Sequence, residues 1–318
     1  MYFEVAGITV NPIIPPLVGF CISLFMSMGG VSGGFLILPF QMSVLGFTSP
    51  AVSPTNQLYN IIAIPSGVWR YIKEGRMVWP LTWIVIIGTL PGVFIGAYIR
   101  IKYLYNPTSF KVFAGFVLLY IGLRLLIDII KKKTGSNIQS EEKFQELAKN
   151  YHMHKQDIAG NKRILPRIIV RQFNLKKISY DFFGESFTVP TKKIALISFL
   201  VGIVGGAYGI GGGAFIAPIF VAFLSLPVYT VAGAALMGTF LTSLAGVIFY
   251  WFLSFYFPNL HVRPDILLGF LFGIGGFAGM YLGARLQKYM PAKIIKWILG
   301  LGIMFLALKY IYEMFRWF

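Results

Sequence analysis

Eight apolar stretches dominate this chain of 318 residues and leave few folds open to it. A helix needs about 20 predominantly apolar residues to cross the hydrocarbon core of a bilayer. Six stretches suit one crossing each: 55–71, 78–99, 110–130, 231–255, 266–286 and 294–314. The remaining two, 12–45 and 194–224, are too long for a single straight crossing. Hydrophobic residues make up 57% of the chain and charged ones 12%. A soluble fold with that balance would expose large apolar patches, and disorder requires far lower apolar content. The expected fold is therefore an all-α polytopic membrane protein with about eight transmembrane segments.

Charge gives the orientation. Lys and Arg number 28 against 11 Asp and Glu, a net +17. Half of that basic complement, 14 residues, lies in the polar interval 131–193 with 6 acids. Positive residues next to spans mark the cytoplasmic side, and Lys131, Lys132, Lys133, Lys192 and Lys193 all sit at span ends. The interval reads as a cytoplasmic insertion, with helical composition over 141–151 and a β-hairpin over 178–189 around Gly184. Topology control and anionic-lipid contact explain its charge, and nucleic acid is excluded for want of an aromatic-basic platform. Arg70, Lys73 and Arg76 also read as cytoplasmic. Simple alternation places the basic connections 100–111 and 285–296 outside, against the same rule. Residues 1–11 contain no Lys or Arg, so no cleavable signal peptide is expected. Cys21, the single cysteine, is expected to be a small packing residue.

The chain also repeats itself. Gly30-Val31-Ser32-Gly33-Gly34 through Pro39 aligns with Gly209-Ile210-Gly211-Gly212-Gly213 through Pro218 at an offset of 179. The same offset places Val52 on Val231 and Asn60 on Thr239. Gly92 and Gly96 match Gly279 and Gly283. Three parts are expected: a membrane repeat over 1–131, the basic insertion over 132–191, and a second membrane repeat over 192–318.

Glycine clusters before a proline break helices, because glycine costs about 1 kcal/mol relative to alanine in a helix interior. Lipid cannot satisfy the freed backbone N–H groups, whereas an anion at a half-helix N-terminus can. Paired interrupted helices in duplicated halves point to the substrate site of a secondary transporter. The isolated glycines Gly92, Gly96, Gly279 and Gly283 instead suit close helix packing. Charge inside the spans is scarce, and Arg124–Asp128 and Lys309–Glu313 read as local anchor pairs. The candidate substrate residues are Ser32, Gly33, Gly34, Asn56, Asn60, Tyr208, Gly211, Gly212, Gly213, Thr239 and Ser243. Their hydroxyl and amide groups can donate to an oxyanion without carrying charge. No ATP-binding motif, HExxH, Ser-His pair or carboxylate dyad is present, and His152, His154 and His261 fall in loops. The chain therefore reads as neither an enzyme nor a holder of a metal or cofactor.

The Gly-x-Gly-Gly-Gly-x-x-x-x-Pro element at Gly209–Pro218, with its degenerate copy at Gly30–Pro39, resembles the signature of the TauE/SafE sulfite exporter family. That resemblance covers both membrane halves and implies an inner-membrane permease for sulfite, organosulfonates or related anions. Ser32 stands where the second copy has Gly211, and the insertion exceeds the short central loop of simpler members. The resulting expectation is a secondary transporter working by alternating access. Its partners would be a small anionic substrate, the bilayer and a second copy in a homodimer. A passive anion channel and a membrane scaffold acting through the insertion are the alternatives.

Overall fold

The computed structural model describes residues 1–130, 168–182, 185–287 and 292–315. Among them a short antiparallel hairpin, β1 (Tyr2–Phe3) and β2 (Ile8–Thr9), precedes five helices. These are α1 (Ile14–Met28), α2 (Gly34–Ser43), α3 (Val52–Lys73), α4 (Trp79–Lys102) and α5 (Pro107–Ile130). After strands β3 (Ile169–Phe173), β4 (Lys177–Phe182) and β5 (Glu185–Pro190) come five more. They are α6 (Thr191–Tyr208), α7 (Ile216–Leu224), α8 (Val228–Tyr256), α9 (Ile266–Leu286) and α10 (Ala292–Phe315). Each overlong stretch thus becomes two helices separated by its glycine cluster. The other six stretches match one helix each within a few residues.

Local chemistry sets several boundaries. The Asp265 side chain accepts a hydrogen bond from Leu268 N and caps α9, supplying an acceptor to a first-turn donor. Proline stands in the first turn of α4, where its missing N–H costs nothing, and Arg100 and Lys102 occupy the last turn. Gly209 ends α6 in the left-handed region at φ +87°, and Gly30 follows α1 at φ +71°. An L side chain is strained at both places, and these are where the two overlong stretches turn.

Contacts along the helices fix their directions. At one end, Asp265 N donates to Thr55 Oγ1 (2.8 Å); at the other, Tyr71 OH donates to Gln287 Oε1 (2.9 Å). Between them Ser66 Oγ donates to Phe277 O (2.8 Å), so α3 and α9 run side by side in the same direction. Helix α8 runs against α3, with Gly246 beside Gln57 and Gly233 beside Tyr71. Helix α1 runs with α9, since Gly275, Gly279 and Gly283 press on the backbone of Pro16, Phe20 and Leu24. Helix α4 runs with α6 in the same manner: a Cβ on Gly92 would lie 2.8 Å from Ile203 N, and one on Gly96 2.5 Å from Ala207 N. These isolated glycines let backbone touch backbone, the small-residue packing expected of them.

Helix α2 does not continue α1. Gly34 lies against Asn56 and Asn60 in the middle of α3, while Ser43 Oγ donates to Tyr310 OH (3.1 Å) near the Asp265 end. Lys111 and Glu313 mark that same end by pairing α5 with α10 (2.8 Å). The chain therefore climbs α1 from the Asp265 end and folds back along α2. Helices α6 and α7 do the reverse, with the Gly209 turn reaching Ser53 near the Asp265 end.

Two fold-backs change the reading of the basic connections. Arg285 comes to the Gln287 end, together with Arg70, Arg76 and Lys192, not to the opposite side as simple alternation placed it. Arg100 is no loop residue: it is wholly buried. One anchor pair differs too, since Glu313 pairs with Lys111 across helices instead of with Lys309 on its own helix, while the Asp128 side chain lies outside the described residues. Arg124 stacks over the Phe223 ring at 4.4 Å. Cys21 is exposed on α1 instead of packed inside.

The described part of the insertion is a three-stranded antiparallel sheet in the order β3-β4-β5, so the fold is mostly helical and not all-α. The expected hairpin is β4–β5, with Ile178 opposite Val189, and β3 adds a strand that its pattern did not announce. All five β3 residues are exposed, so no alternation marks it. The sheet docks at the Gln287 end. Tyr180 OH and Thr230 Oγ1 share a hydrogen bond (2.9 Å), and Ile168 N donates to Gly75 O (3.4 Å). The helix expected over 141–151, and His152 and His154, lie outside the described residues.

Candidate functional site

The two fold-backs meet in the centre of the helices. The first turn of α2 and the N-cap of α7 touch through Phe35 and Phe215, whose rings pack edge to face at 5.3 Å. Neither N-cap residue, Gly33 or Phe215, makes a side-chain capping bond. A helix start carries about half a positive charge from its aligned peptide dipoles. Two such starts facing one region make it electropositive without an ionised side chain.

Asn60 is the hub between them. Its Nδ2 donates to Ile210 O (2.9 Å) in the second break and to Ser243 Oγ (3.3 Å) on α8. Its Oδ1 accepts from the Ser32 hydroxyl in the first break. Ser32 Oγ in turn accepts from Gly34 N (3.2 Å). One turn away, Asn56 Nδ2 donates to Gly34 O (3.0 Å) and Gly209 O (3.2 Å), bridging both breaks. Thr239 donates to Ala235 O (2.8 Å) within its own helix and contributes mainly volume beside Gly213.

The candidate residues therefore come together, with Ser32, Asn56, Asn60, Tyr208, Thr239 and Ser243 all fully buried. Their roles are more specific than a ring of free donors. In this conformation the asparagine amides hold loop carbonyls, and the breaks are tied to each other. Tyr208 stacks on Phe35 (6.1 Å, 13°) and donates weakly to Phe35 O (3.5 Å), so it closes one side of the junction. Gly212 N donates to Thr242 Oγ1 (2.9 Å), a partner that the candidate set omitted although Thr242 adjoins Ser243.

Other residues escaped the set. Gln41 and Gln57 are fully buried, and both polar atoms of each lack a hydrogen-bond partner, as does Asn56 Oδ1. Unpaired buried amides are costly, about 1–3 kcal/mol per group, and mark places for water or a ligand. A lone glutamine amid the apolar residues of α2 was the available signal for Gln41. Arg100 was legible as well: Gly92, Gly96 and Arg100 recur every four residues and so share one helix face, the face packed on α6.

Among the described residues, four helices are long and apolar enough to cross a membrane: Trp79–Lys102, Thr191–Tyr208, Val228–Tyr256 and Ile266–Leu286. With the polar junction sealed among them, they define a multi-pass, membrane-embedded helical protein. The model of the sulfite exporter TauE/SafE family matches residues 16–310, and the chain belongs to that family. It is 26% identical over 296 residues to the probable membrane transporter protein YunE of Bacillus subtilis (strain 168), covering 90% of this chain and 92% of that one. It is 29% identical over 116 residues to the probable membrane transporter protein YdhB of the same organism, covering 36% of this chain and 43% of the relative. No solved structure gives a significant match.

Proposed function

We propose that the protein is a secondary transporter that moves a small sulfur-containing anion, sulfite or an organosulfonate, across the cytoplasmic (inner) membrane. The observation that carries this reading is the junction itself: two helix starts, one from each glycine break, face one buried region bridged by Asn56 and Asn60. An anion entering there exchanges amide-to-carbonyl bonds for bonds to its own oxygens and stabilises both helix starts. The family's description supports the sulfur oxyanion, and the relatives' names support the transport class.

In this reading the two membrane halves are inverted repeats. Each consists of a re-entrant pair followed by three crossings, α3–α5 in the first half and α8–α10 in the second. That odd number makes the halves antiparallel, as the opposed directions of α3 and α8 support. The Gln287 end is cytoplasmic, because Arg70, Arg76, Lys192 and Arg285 gather there with the insertion. Alternating access follows if the Gly30 and Gly209 turns withdraw in alternation, opening the junction to one end at a time.

Counterflow in proteoliposomes tests the proposal. Internal unlabelled sulfite should accelerate uptake of labelled sulfite through a carrier, whereas a passive channel gives no such stimulation. Absence of flux with sulfite and with organosulfonates alike would overturn the substrate reading.

A further inference from the structure

Arg100 stands in the last turn of α4 and is fully buried. Its Nε donates to Ser53 Oγ (3.2 Å), its Nη1 donates to Leu104 O, and its guanidinium lies 3.8 Å from the Phe110 ring centre. Its Nη2 is buried without a hydrogen-bond partner. Among the described residues no carboxylate forms an ion pair with it. Of the acids at the Asp265 end, Asp265 accepts from Leu268 N and Ala6 N, and Glu313 pairs with Lys111. Taking a charge out of water costs several kcal/mol unless something compensates it. Cation–π contact with Phe110 offsets part of that and supplies no counter-charge.

The opposite end of the molecule shows what compensation looks like. Arg76, also buried, pairs its Nη2 with Glu74 (2.5 Å), donates from Nη1 to Gln287 Oε1 (2.9 Å) and lies over the Tyr71 ring (4.4 Å). Gln287 aligns with Arg100 at the offset of 187 that matches Gly92 to Gly279. Related positions thus carry a neutral amide serving a neutralised arginine at one end, and an arginine without a counterion at the other.

Arg100 also touches the second break through both of its neighbours. A Cβ on Gly209 would lie 2.5 Å from Ser53 Oγ, and the Phe110 ring packs against Tyr208 at 6.0 Å. Any withdrawal of the Gly209 turn uncovers Ser53 and, behind it, the unpaired edge of the guanidinium.

We propose that Arg100 is an anion-binding residue, the counter-charge for a sulfur oxyanion at the Asp265 end of the pathway, with the Ser53 hydroxyl beside it. The proposal rests on the anion-transport reading and adds a residue to it. The uncharged junction favours an anion only through dipoles, whereas Arg100 supplies a full charge at the entrance that the Gly209 turn covers.

Titration calorimetry on the purified full-length protein, with sodium sulfite and with methanesulfonate, tests it. A charge-assisted hydrogen bond is worth about 1.5–3 kcal/mol, so Arg100→Gln should weaken sulfite binding by about tenfold to a hundredfold. Arg100→Lys keeps the charge but lacks a planar edge, so it should lose affinity by about threefold to tenfold while melting near the wild type. Unchanged affinity in a folded Arg100→Gln protein overturns the proposal and leaves the transporter reading intact. If Arg100→Gln does not fold, the Lys variant decides, and unchanged affinity there overturns the proposal. If the wild type ignores both sulfur anions but binds phosphate, and Arg100→Gln loses that, the substrate reading falls and Arg100 stands. A wild type that binds none of these anions overturns both.

Discussion

At the first break a side chain closes the junction: Ser32 donates to Asn60 and receives Gly34 N, so the turn is held by directional hydrogen bonds. At the second break the matching position is Gly211, at φ +82°, where a Cβ would lie 2.6 Å from Ser243 Oγ. Gly212 fits between Thr89 and Val93, and Gly213 lies on the backbone of Ala235. At this matched position one break is therefore specified by a polar side chain and the other by lack of volume. Mutations should expose that difference, because lost hydrogen bonds weaken a structure gradually while backbone overlap cannot be relieved by a rotamer change.

The largest effect should come from Gly212→Val. A Cβ there already lies 2.7 Å from Thr89 Cβ and 2.9 Å from Val93 Cγ2, and two further methyls force α4 away from the break. Sulfite counterflow should vanish, and wild-type flux would break the comparison at its strongest point. Next comes Asn60→Ala, which takes the Asn60 donor from Ile210 O and the acceptor from the Ser32 hydroxyl proton. Each such loss costs about 1–3 kcal/mol, so thermal unfolding should begin several degrees lower and flux should fall without vanishing. An unchanged melting curve would mean that the hub is not what ties the breaks together.

Exchanging the two solutions gives a sharper test. Gly211→Ser places a side chain at positive φ against Ser243 and should cost about 1–3 kcal/mol in strain. Ser32→Gly removes one buried hydroxyl and leaves space in which a water can serve Asn60 Oδ1 and Gly34 N, so it should cost closer to 1 kcal/mol. Equal losses in a paired thermal-shift measurement would show the two positions to be interchangeable after all. The smallest effect belongs to Thr242→Val, which deprives Gly212 N of its acceptor at about 1 kcal/mol. Faster amide exchange confined to the second break is the expected signature.

Much of this architecture was readable one stretch at a time. The stretch 266–286 became α9 with the same bounds, because a long apolar run is helical whatever surrounds it. The hairpin over 178–189 followed from alternation alone, and in it Ile178 pairs with Val189. Strand β3 was hidden because it is exposed on both faces, and Arg100 because a basic residue beside a loop looks solvated until its helix face is considered. The partners of Glu313 could not be inferred either, since Lys309 and Lys111 differ only in which helix lies nearby.

What the sequence determined by itself was therefore everything governed by local rules: which segments are helical, where glycine interrupts them, and that Ser32, Asn56, Asn60, Thr239 and Ser243 are the polar groups near those interruptions. The tertiary structure decided the rest. A glycine turn permits either continuation or reversal, and only the packing of α1 on α9 and of α2 on α3 selects reversal. An asparagine amide can face a ligand or a carbonyl, and only the approach of the second break to Asn60 settles its partner. Those outcomes depend on atoms about 150 residues apart in the chain, such as Asn60 and Ile210, and no local pattern encodes them.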